Sequence, residues 1–247
     1  MPRFFVEPLQ IQGDTVIVTE DAHHIKDVLR MQAGDMIEVC DGQGMDYTVR
    51  LETLGSEKVT GHIEEQGSST SEPAIHVTLF QGLPKSDKME WILQKGTELG
   101  ISSFVPVTMQ RSVVRYDAKK DAKKTERFRK IAEAAAKQSG RGRIPEVQEV
   151  KSFQSVIGKV GKYDLFLVPY EAGLEHSLKR TLSSVPAMPK TVAILIGPEG
   201  GIDPKEVDAL TEAGAQVVGL GPRILRTETA GMAAVTMLLY HFDQMEL

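Results

Sequence analysis

Two loops that combine glycine with proline carry the residues best placed to bind a ligand. The loop 197–202 follows an apolar run at 192–196. The loop 219–222 overlaps the end of a second run, at 217–220. In an open α/β sheet, ligands bind beyond the carboxyl ends of the strands. On adjacent strands, the two loops would offer backbone N–H and C=O groups to a flat heterocycle. Each loop taken alone is better explained by a tight turn, and only the matched pair makes ligand binding an equally good explanation.

Neither loop is typical of a nucleotide-phosphate site. The loop 197–202 lacks the Lys-Ser/Thr pair with which a P-loop binds phosphate and magnesium, and the Glu199 carboxylate would repel a phosphate. The loop 219–222 lacks the third glycine of the dinucleotide-binding fingerprint. ATPase and dehydrogenase functions are therefore disfavoured. Because Cys40 is the single cysteine, no cysteine-rich metal site can form, and we expect no metal.

Strands and helices alternate in the C-terminal part of the sequence, which predicts a parallel sheet of the α/β class. The runs 165–168 and 192–196 are wholly apolar, as expected for strands covered on both faces. A last helix is predicted over 227–242. Two pairs of residues are spaced as capping boxes that begin helices, Asp203 with Glu206 and Asp87 with Glu90.

The N-terminal part predicts mostly β-structure. Turn residues separate five short runs rich in β-forming residues, at 4–6, 15–18, 35–40, 47–54 and 58–64. Five strands in about 70 residues suggest a small β-barrel. One helix interrupts them, with Thr19 as its N-cap and an apolar face formed by Ile25, Val28 and Leu29. A polar linker at 67–73 follows, so we place the domains at 1–71 and 72–247.

Composition and charge narrow the class of protein further. The 247 residues are 41% hydrophobic and 26% charged, which suits a folded core. No apolar run approaches the ~18 residues of a membrane span, and an early acid, Glu7, argues against a signal peptide. We therefore expect a cytoplasmic protein. Residues 1–73 hold five basic and 14 acidic residues, whereas 85–143 hold 15 basic and seven acidic ones, so contact with a polyanion would be patchy.

Several motifs together resemble one family. They are IGPEGGI at 196–202, LGPRILRTETA at 220–230, QKGTELG at 94–100, QSGR at 138–141 and HIKDVLRMQAGD at 24–35. The sequence is similar over its whole length to the RsmE family of 16S rRNA (uracil-N3)-methyltransferases, within the SPOUT, or α/β-knot, superfamily. The resemblance implies a PUA-like β-barrel followed by a parallel-sheet methyltransferase domain with a trefoil knot. It also implies S-adenosylmethionine as cofactor, a homodimer, and one uridine of the small-subunit rRNA as substrate.

The resemblance further implies that the cofactor lies in the knot, between the loops 197–202 and 219–221 and the segment 224–230. For Leu195, Ile224 and Leu225 the alternative is plain core packing, and for Glu228 it is helix-dipole complementarity. Glu199 either orients its loop by accepting N–H bonds, which we favour, or contacts the ribose or charged tail of the cofactor. The cofactor-binding residues implied are Leu195, Gly197, Pro198, Glu199, Gly200, Gly201, Leu220, Gly221, Ile224, Leu225, Arg226, Glu228, Thr229 and Ala230.

Basic residues in or beside loops are candidates for contact with RNA phosphates. In the acidic N-terminal part, basic side chains concentrate in one helix, and the resemblance favours rRNA docking there over an ordinary charged surface. Around Arg141, flanking glycines favour RNA contact over a helix-dipole role. The lysines at 119–124 are better explained as a solvated helix face. The candidates are His24, Lys26, Arg30, Lys85, Arg111, Arg115, Arg141 and Arg143.

Methylation at N3 of uridine would require loss of the N3 proton and stabilisation of the resulting negative charge. No histidine lies within the cofactor motifs, so we expect a fixed cation, which acts on charge that develops in the transition state. Arg226 and Arg111 are the candidates; alternatively, Arg226 pairs with Glu228 or Glu199 and only shapes the loop. A rival function from another class is a noncatalytic RNA-binding ribosome-assembly factor that retains the fold.

Overall fold

This computed structural model describes residues 1–113, 118–171 and 176–246, with side chains in the helix that starts at Ala118 described from residue 123 onward. The chain divides into two compact units. Unit 1 comprises Met1–Glu72 and Ala136–Ile144, and unit 2 comprises Pro73–Ala135 and Pro145–Leu247. Within the described residues, no helix is long and apolar enough to cross a membrane.

Unit 1 contains a six-stranded mixed sheet in the order β1-β4-β5-β6-β3-β2. Only β1 and β4 pair in parallel; the other pairs are antiparallel. Alternate residues of the strands, such as Val16 and Val18, point into the core, as the period-2 pattern of a half-buried sheet requires. The strands are β1 (Arg3–Phe5), β2 (Ile11–Gln12), β3 (Thr15–Val18), β4 (Met36–Cys40), β5 (Met45–Leu54) and β6 (Val59–Ser68).

The helix predicted in unit 1 is wrong in its packing. Only a short π-helical segment forms, at His24–Val28, in which the Leu29 N–H donates to the His24 carbonyl, five residues earlier. This wider turn buries Ile25 but leaves Val28 58% and Leu29 41% exposed, instead of on a buried face. Arg30 follows with φ 54°, in the left-handed region that non-glycine residues seldom adopt.

Unit 2 contains a wholly parallel sheet in the order β10-β8-β7-β12-β11-β13, with β9 also paired to β8. This confirms the predicted α/β class. The short elements at 146–157 and 178–183 were not predicted, because so few residues show no periodicity. The strands are β7 (His76–Gly82), β8 (Ser103–Thr108), β9 (Glu146–Val147), β10 (Lys151–Ser152), β11 (Leu165–Pro169), β12 (Thr191–Ile196) and β13 (Gln216–Val218). The helices are α1 (Lys88–Glu98), α2 (Ala118–Ser139), α3 (Phe153–Ile157), α4 (Leu178–Ser183), α5 (Pro204–Glu212) and α6 (Thr227–His241).

Both faces of the unit 2 sheet are buried, which explains the wholly apolar strands. In β12, Ile194 packs with residues of α1, α4 and α6, whereas its neighbour Leu195 packs on the other face with residues of α3 and α5. Leu195 is fully buried, so its side chain belongs to the core. The loops that follow the strands therefore start from a sheet that is packed on both faces.

One of the two predicted capping boxes is present. Asp203 and Glu206 form the reciprocal hydrogen bonds that begin α5. Asp87 lies at the N-cap of α1 with φ −85° and ψ 7°, and its side chain makes no capping hydrogen bond. That backbone is far from the β region that capping requires, and Glu90 instead pairs with Arg127 at 2.8 Å.

Arg141 is buried in unit 1. Its side chain is 4% exposed, and its Nη2 and Nε donate to Glu72 Oε2 and Oε1 at 2.6 and 3.1 Å. The same carboxylate accepts the Gly142 N–H at 2.9 Å. Nearby, the Cys40 thiol donates to the Gly142 carbonyl, and burial raises the pKa of this thiol to about 11. Residues 136–144 are thus held in unit 1 by polar contacts.

We predict that Arg141→Met lowers the free energy of unfolding of unit 1 by about 3 kcal/mol, because it leaves the Glu72 carboxylate buried without its cation. Urea denaturation monitored by hydrogen exchange of the β4 and β5 amides measures the change. Arg143→Met is the matched control: Arg143 is exposed, so its loss should change stability by less than about 0.5 kcal/mol. Equal effects of the two substitutions would contradict the structural role of Arg141.

Candidate functional site

A cavity opens where three loops leave the carboxyl ends of β11, β12 and β13. Its main part has a volume of about 460 Å³ and lies between the loop 197–202 and residues 224–227. An adjoining part of about 370 Å³ is lined by residues 220–225. Pro169, Glu171, Ile224, Leu225 and Ala230 line both parts. The two glycine loops therefore border one space of the size of a small-molecule site.

The two glycine loops do not follow adjacent strands, which corrects the sequence expectation. β11 lies between β12 and β13. Residues 169–171, at the end of β11, bridge the gap and line the cavity. Motif analysis missed them because Pro169, Tyr170 and Glu171 match no ligand-binding pattern; the only available signal was their position after an apolar strand.

The glycines of the loop 197–202 are required for reasons internal to the loop. A Cβ on Gly197 would lie 2.7 Å from Ile202 Cγ1, and one on Gly200 would lie 3.1 Å from Arg111 Cβ. Gly201 has φ +73°, but a Cβ there would meet nothing closer than 3.6 Å. Substitution would therefore distort the loop by clash at Gly197 and by backbone strain at Gly201, whereas at Gly200 it would require a small shift of Arg111.

The Glu199 carboxylate is used to hold the loop, the role favoured from the sequence. It accepts the Lys85 N–H at 3.0 Å and pairs with the Lys88 ammonium at 3.2 Å. Partial burial raises the pKa of Glu199, but N–H donors from its own backbone and Lys85, together with Lys88, outweigh this and leave the pKa below its usual value. Lys88 also pairs with Glu228 at 3.3 Å. The hydrogen bond to Glu199 is the main cause that raises the pKa of Lys88; desolvation lowers this pKa, but by less. One ammonium thus joins the loop 197–202 to the start of α6.

A buried hydrogen-bond chain makes a second connection between these segments. The Thr227 hydroxyl donates to the Gly197 carbonyl at 2.6 Å and accepts from Gln81 Nε2 at 2.8 Å. Gln81 is fully buried at the end of β7. The first residue of α6 is therefore fixed to the first residue of the loop that follows β12.

The first turn of α6 divides its residues between two sides. Thr227 and Ala230, three residues apart, line the main cavity. Glu228 and Thr229 instead line a separate cavity together with Lys88 and Trp91. Glu228 and Thr229 therefore lie outside the lining of the main cavity, and their contact with a cofactor stays a prediction.

Ile224 is the most exposed large apolar side chain of the site. It is 88% exposed and lines both parts of the cavity, so core packing does not explain it. Leu225 is half-buried beside it, whereas Leu195 is fully buried and absent from the lining. The predicted cofactor residues that line the cavity are Gly197, Pro198, Glu199, Gly200, Gly201, Leu220, Gly221, Ile224, Leu225, Arg226 and Ala230.

The two candidate catalytic arginines differ in their surroundings. Arg226 is exposed and lines the main cavity, and both carboxylates proposed as its partners bind Lys88 instead. Arg111 pairs with Asp203 at 3.4 Å and donates to the Gly200 carbonyl at 3.2 Å. Arg111 therefore supports the loop, whereas the Arg226 guanidinium is available to a ligand.

The candidate RNA contacts separate by exposure. Arg141 is corrected: its guanidinium is buried and paired with Glu72, so it cannot reach a phosphate. Arg115 lies outside the described residues. The described part of the chain contains no group of three or more His, Cys, Asp or Glu residues able to hold a metal ion. The exposed candidates are His24, Lys26, Arg30, Lys85, Arg111 and Arg143.

Comparison with known proteins defines the class. Residues 70–239 match the family described as "RNA methyltransferase domain", and residues 19–64 match "RNA methyltransferase PUA domain". The chain is therefore an RNA methyltransferase, with a PUA domain that precedes a SPOUT-type methyltransferase domain.

The relatives define the family within that class. Ribosomal RNA small subunit methyltransferase E of Bacillus subtilis is 41% identical over 98% of both chains. The structure of the Neisseria gonorrhoeae enzyme of the same name, bound to S-adenosyl methionine, has a TM-score of 0.83 and 30% identity, and 97% of each chain is covered. A Legionella pneumophila methyltransferase in complex with the same cofactor has a TM-score of 0.81 and 29% identity, again over 97% of each chain. The chain belongs to the RsmE family.

We predict that Lys88→Met raises the pKa of Glu199, because the substitution removes a cation and leaves two carboxylates near each other. A lowered pKa means that the interactions of Glu199 stabilise the fold above its ordinary pKa and are lost as pH falls through the lowered value. In the variant this loss should begin at higher pH. NMR titration of side-chain carboxyl carbons measures the shift, and Lys95→Met, which breaks the Lys95–Glu98 pair, should leave Glu199 unchanged. An unchanged pKa of Glu199 in Lys88→Met would refute the role of the Lys88 ammonium in joining Glu199 to Glu228.

Proposed function

We propose that this chain transfers the methyl group of S-adenosylmethionine to N3 of one uridine in 16S rRNA. The observation that carries the proposal is the cavity formed by the two glycine loops, in a chain similar over nearly its full length to ribosomal RNA small subunit methyltransferases. Since its substrate would be a ribosomal RNA, we expect it to act in the cytoplasm. A noncatalytic assembly factor would have no use for this cavity.

The residues of the cavity fit the cofactor. Ile224 is exposed at its border and can cover a flat base, and Gly201 and Gly221 line it without side chains. The cofactor supplies a methyl group that its sulfonium already activates, so the protein must align the reactants and exclude water. Backbone groups of the glycine loops would bind the adenine, while Pro169 and Ala230 close the apolar wall.

Arg226 would stabilise the negative charge that develops on the uracil. Its guanidinium presents a planar fork of donors, stays protonated, and lines the cavity. Arg111 is the weaker candidate because Asp203 and the Gly200 carbonyl already occupy its donors.

RNA contact would involve exposed basic residues of each unit. In unit 1, His24, Lys26 and Arg30 lie on and beside the π-helical segment, and their exposure suits docking to RNA by shape and backbone contacts. In unit 2, Lys85 and Arg111 lie beside the loop 197–202. We propose residues 1–71 as the docking domain and 72–247 as the methyltransferase domain, and we expect a trefoil knot in the latter.

The protein would act as a homodimer. The apolar residues Val235 and Leu238 of α6 are buried within unit 2, but Met237 is 39% and Tyr240 74% exposed. They line a cavity of about 440 Å³ together with Leu178 of α4. A second copy of the chain would cover part of this surface.

Mass spectrometry of 16S rRNA tests the function. A strain that lacks the gene should lose one N3-methyluridine, and the wild-type gene should restore it. A purified protein that methylates ribosomal particles but not naked 16S rRNA would support recognition of an assembled substrate. If the modification is present in both strains, the proposed function is wrong.

We predict that Arg226→Lys lowers the methylation rate by about 10–1,000-fold while cofactor affinity changes little, because the charge remains but the donor fork is lost. Single-turnover methylation and calorimetric titration of S-adenosylmethionine separate the two quantities. Arg180→Lys, at an exposed position on α4, is the matched control. Loss of affinity and rate together would instead make Arg226 a residue that builds the loop.

Sedimentation at micromolar concentration is predicted to give a mass twice that of the 27.1 kDa chain. Met237→Glu should shift the protein toward the monomer, because it places a charge on the apolar surface. Lys205→Glu, on the exposed side of α5, should leave the mass unchanged. A wild-type protein that sediments only as a 27 kDa species would exclude the dimer.

A further inference from the structure

Glu171 is a carboxylate of the cavity with no assigned task. It follows β11 and lines both parts of the cavity. Its Oε1 lies 3.6 Å from the position that a Cβ on Gly201 would occupy. Among the residues that the structure describes, its side chain makes no hydrogen bond or ion pair.

The other lining carboxylate is already engaged. Glu199 is held by the Lys85 N–H and the Lys88 ammonium, and neither lysine lines the cavity. Its charge is therefore largely compensated before any ligand binds. Glu171 remains as the lining carboxylate that can pair with a positive charge on a ligand.

The cofactor carries charges of both signs. S-adenosylmethionine has a sulfonium and an α-ammonium group, which are cations, and one α-carboxylate. The Arg223 guanidinium lines the cavity and suits the α-carboxylate. The cationic groups require an acceptor of opposite charge, and the geometry leaves Glu171 for that task.

We propose that the Glu171 carboxylate binds a cationic group of S-adenosylmethionine. The inference rests on the proposed cofactor. It assigns to the unremarkable segment after β11 the recognition of charge, while the glycine loops recognise the shape of the adenosine. Because Glu171 is exposed, water screens the interaction, and we expect an effect of about tenfold in affinity.

Three ligands that share the adenosine part but carry different cationic groups test the proposal by calorimetric titration of the full chain. S-adenosylmethionine has both cations, S-adenosylhomocysteine has only the ammonium, and 5′-methylthioadenosine has neither. Glu171→Gln should lower the affinity for S-adenosylmethionine about tenfold and leave the affinity for methylthioadenosine unchanged. If the affinity for S-adenosylhomocysteine is also unchanged, the sulfonium is the partner of Glu171. If that affinity falls as much as the affinity for S-adenosylmethionine, the ammonium is the partner.

A matched variant and a salt series guard the interpretation. Glu212→Gln, at the exposed end of α5, should change none of the three affinities. In the wild-type protein, added salt should weaken S-adenosylmethionine more than methylthioadenosine, a comparison that does not depend on the variant folding.

Two outcomes overturn the assignment. Either an unchanged affinity for S-adenosylmethionine in folded Glu171→Gln, or an equal loss for all three ligands, removes charge recognition from Glu171. If the variant does not fold, equal salt dependence of the two ligands overturns it as well. A wild-type protein that binds none of the ligands rejects the proposed cofactor itself, and this inference with it.

Discussion

The parallel direction of every strand in unit 2 is the constraint on which the site depends. It brings the carboxyl ends of β11, β12 and β13 to one edge, where their loops emerge from a core that is buried on both faces. The loop 197–202 is held in part by Ile202, which is buried in the core. Polar contacts complete its placement, and those of the Lys88 ammonium and the Thr227 hydroxyl are the principal ones.

These polar contacts divide the charged residues of the site into two kinds. Glu199 and Glu228 share one lysine, and Asp203 pairs with Arg111. Such carboxylates organise backbone, and their charges are compensated within the protein. Groups that remain uncompensated in the lining, such as the Arg226 guanidinium, are the ones that can respond to the charge of a ligand.

The sequence was sufficient for those parts of the structure that local chemistry determines. The Asp203–Glu206 capping box and the apolar strand β12 were predicted because each depends on residues a few positions apart. Asp87 has the same spacing, yet its own backbone, with φ −85° and ψ 7°, lies outside the region in which a side chain caps a helix.

Other features depend on partners distant in sequence. Arg141 was predicted to contact RNA because glycines flank it, but its buried guanidinium pairs with Glu72, 69 positions away. Val28 and Leu29 were predicted to be buried from helical periodicity, which the π-helical turn changes. Glu171 matches no motif, and only the position of β11 between two loops makes it part of the site.

Unit 1 is discontinuous in sequence, since it includes residues 136–144 as well as the first 72. A ribosome makes about 5–20 residues per second, so Arg141 is synthesised roughly 3–14 s after Glu72. During that interval the Glu72 carboxylate and the Cys40 thiol have no access to their final partners. The N-terminal unit therefore cannot complete its fold first. Its closing contacts must form after residues 73–135 of unit 2 have been synthesised, which couples the maturation of the two units in time.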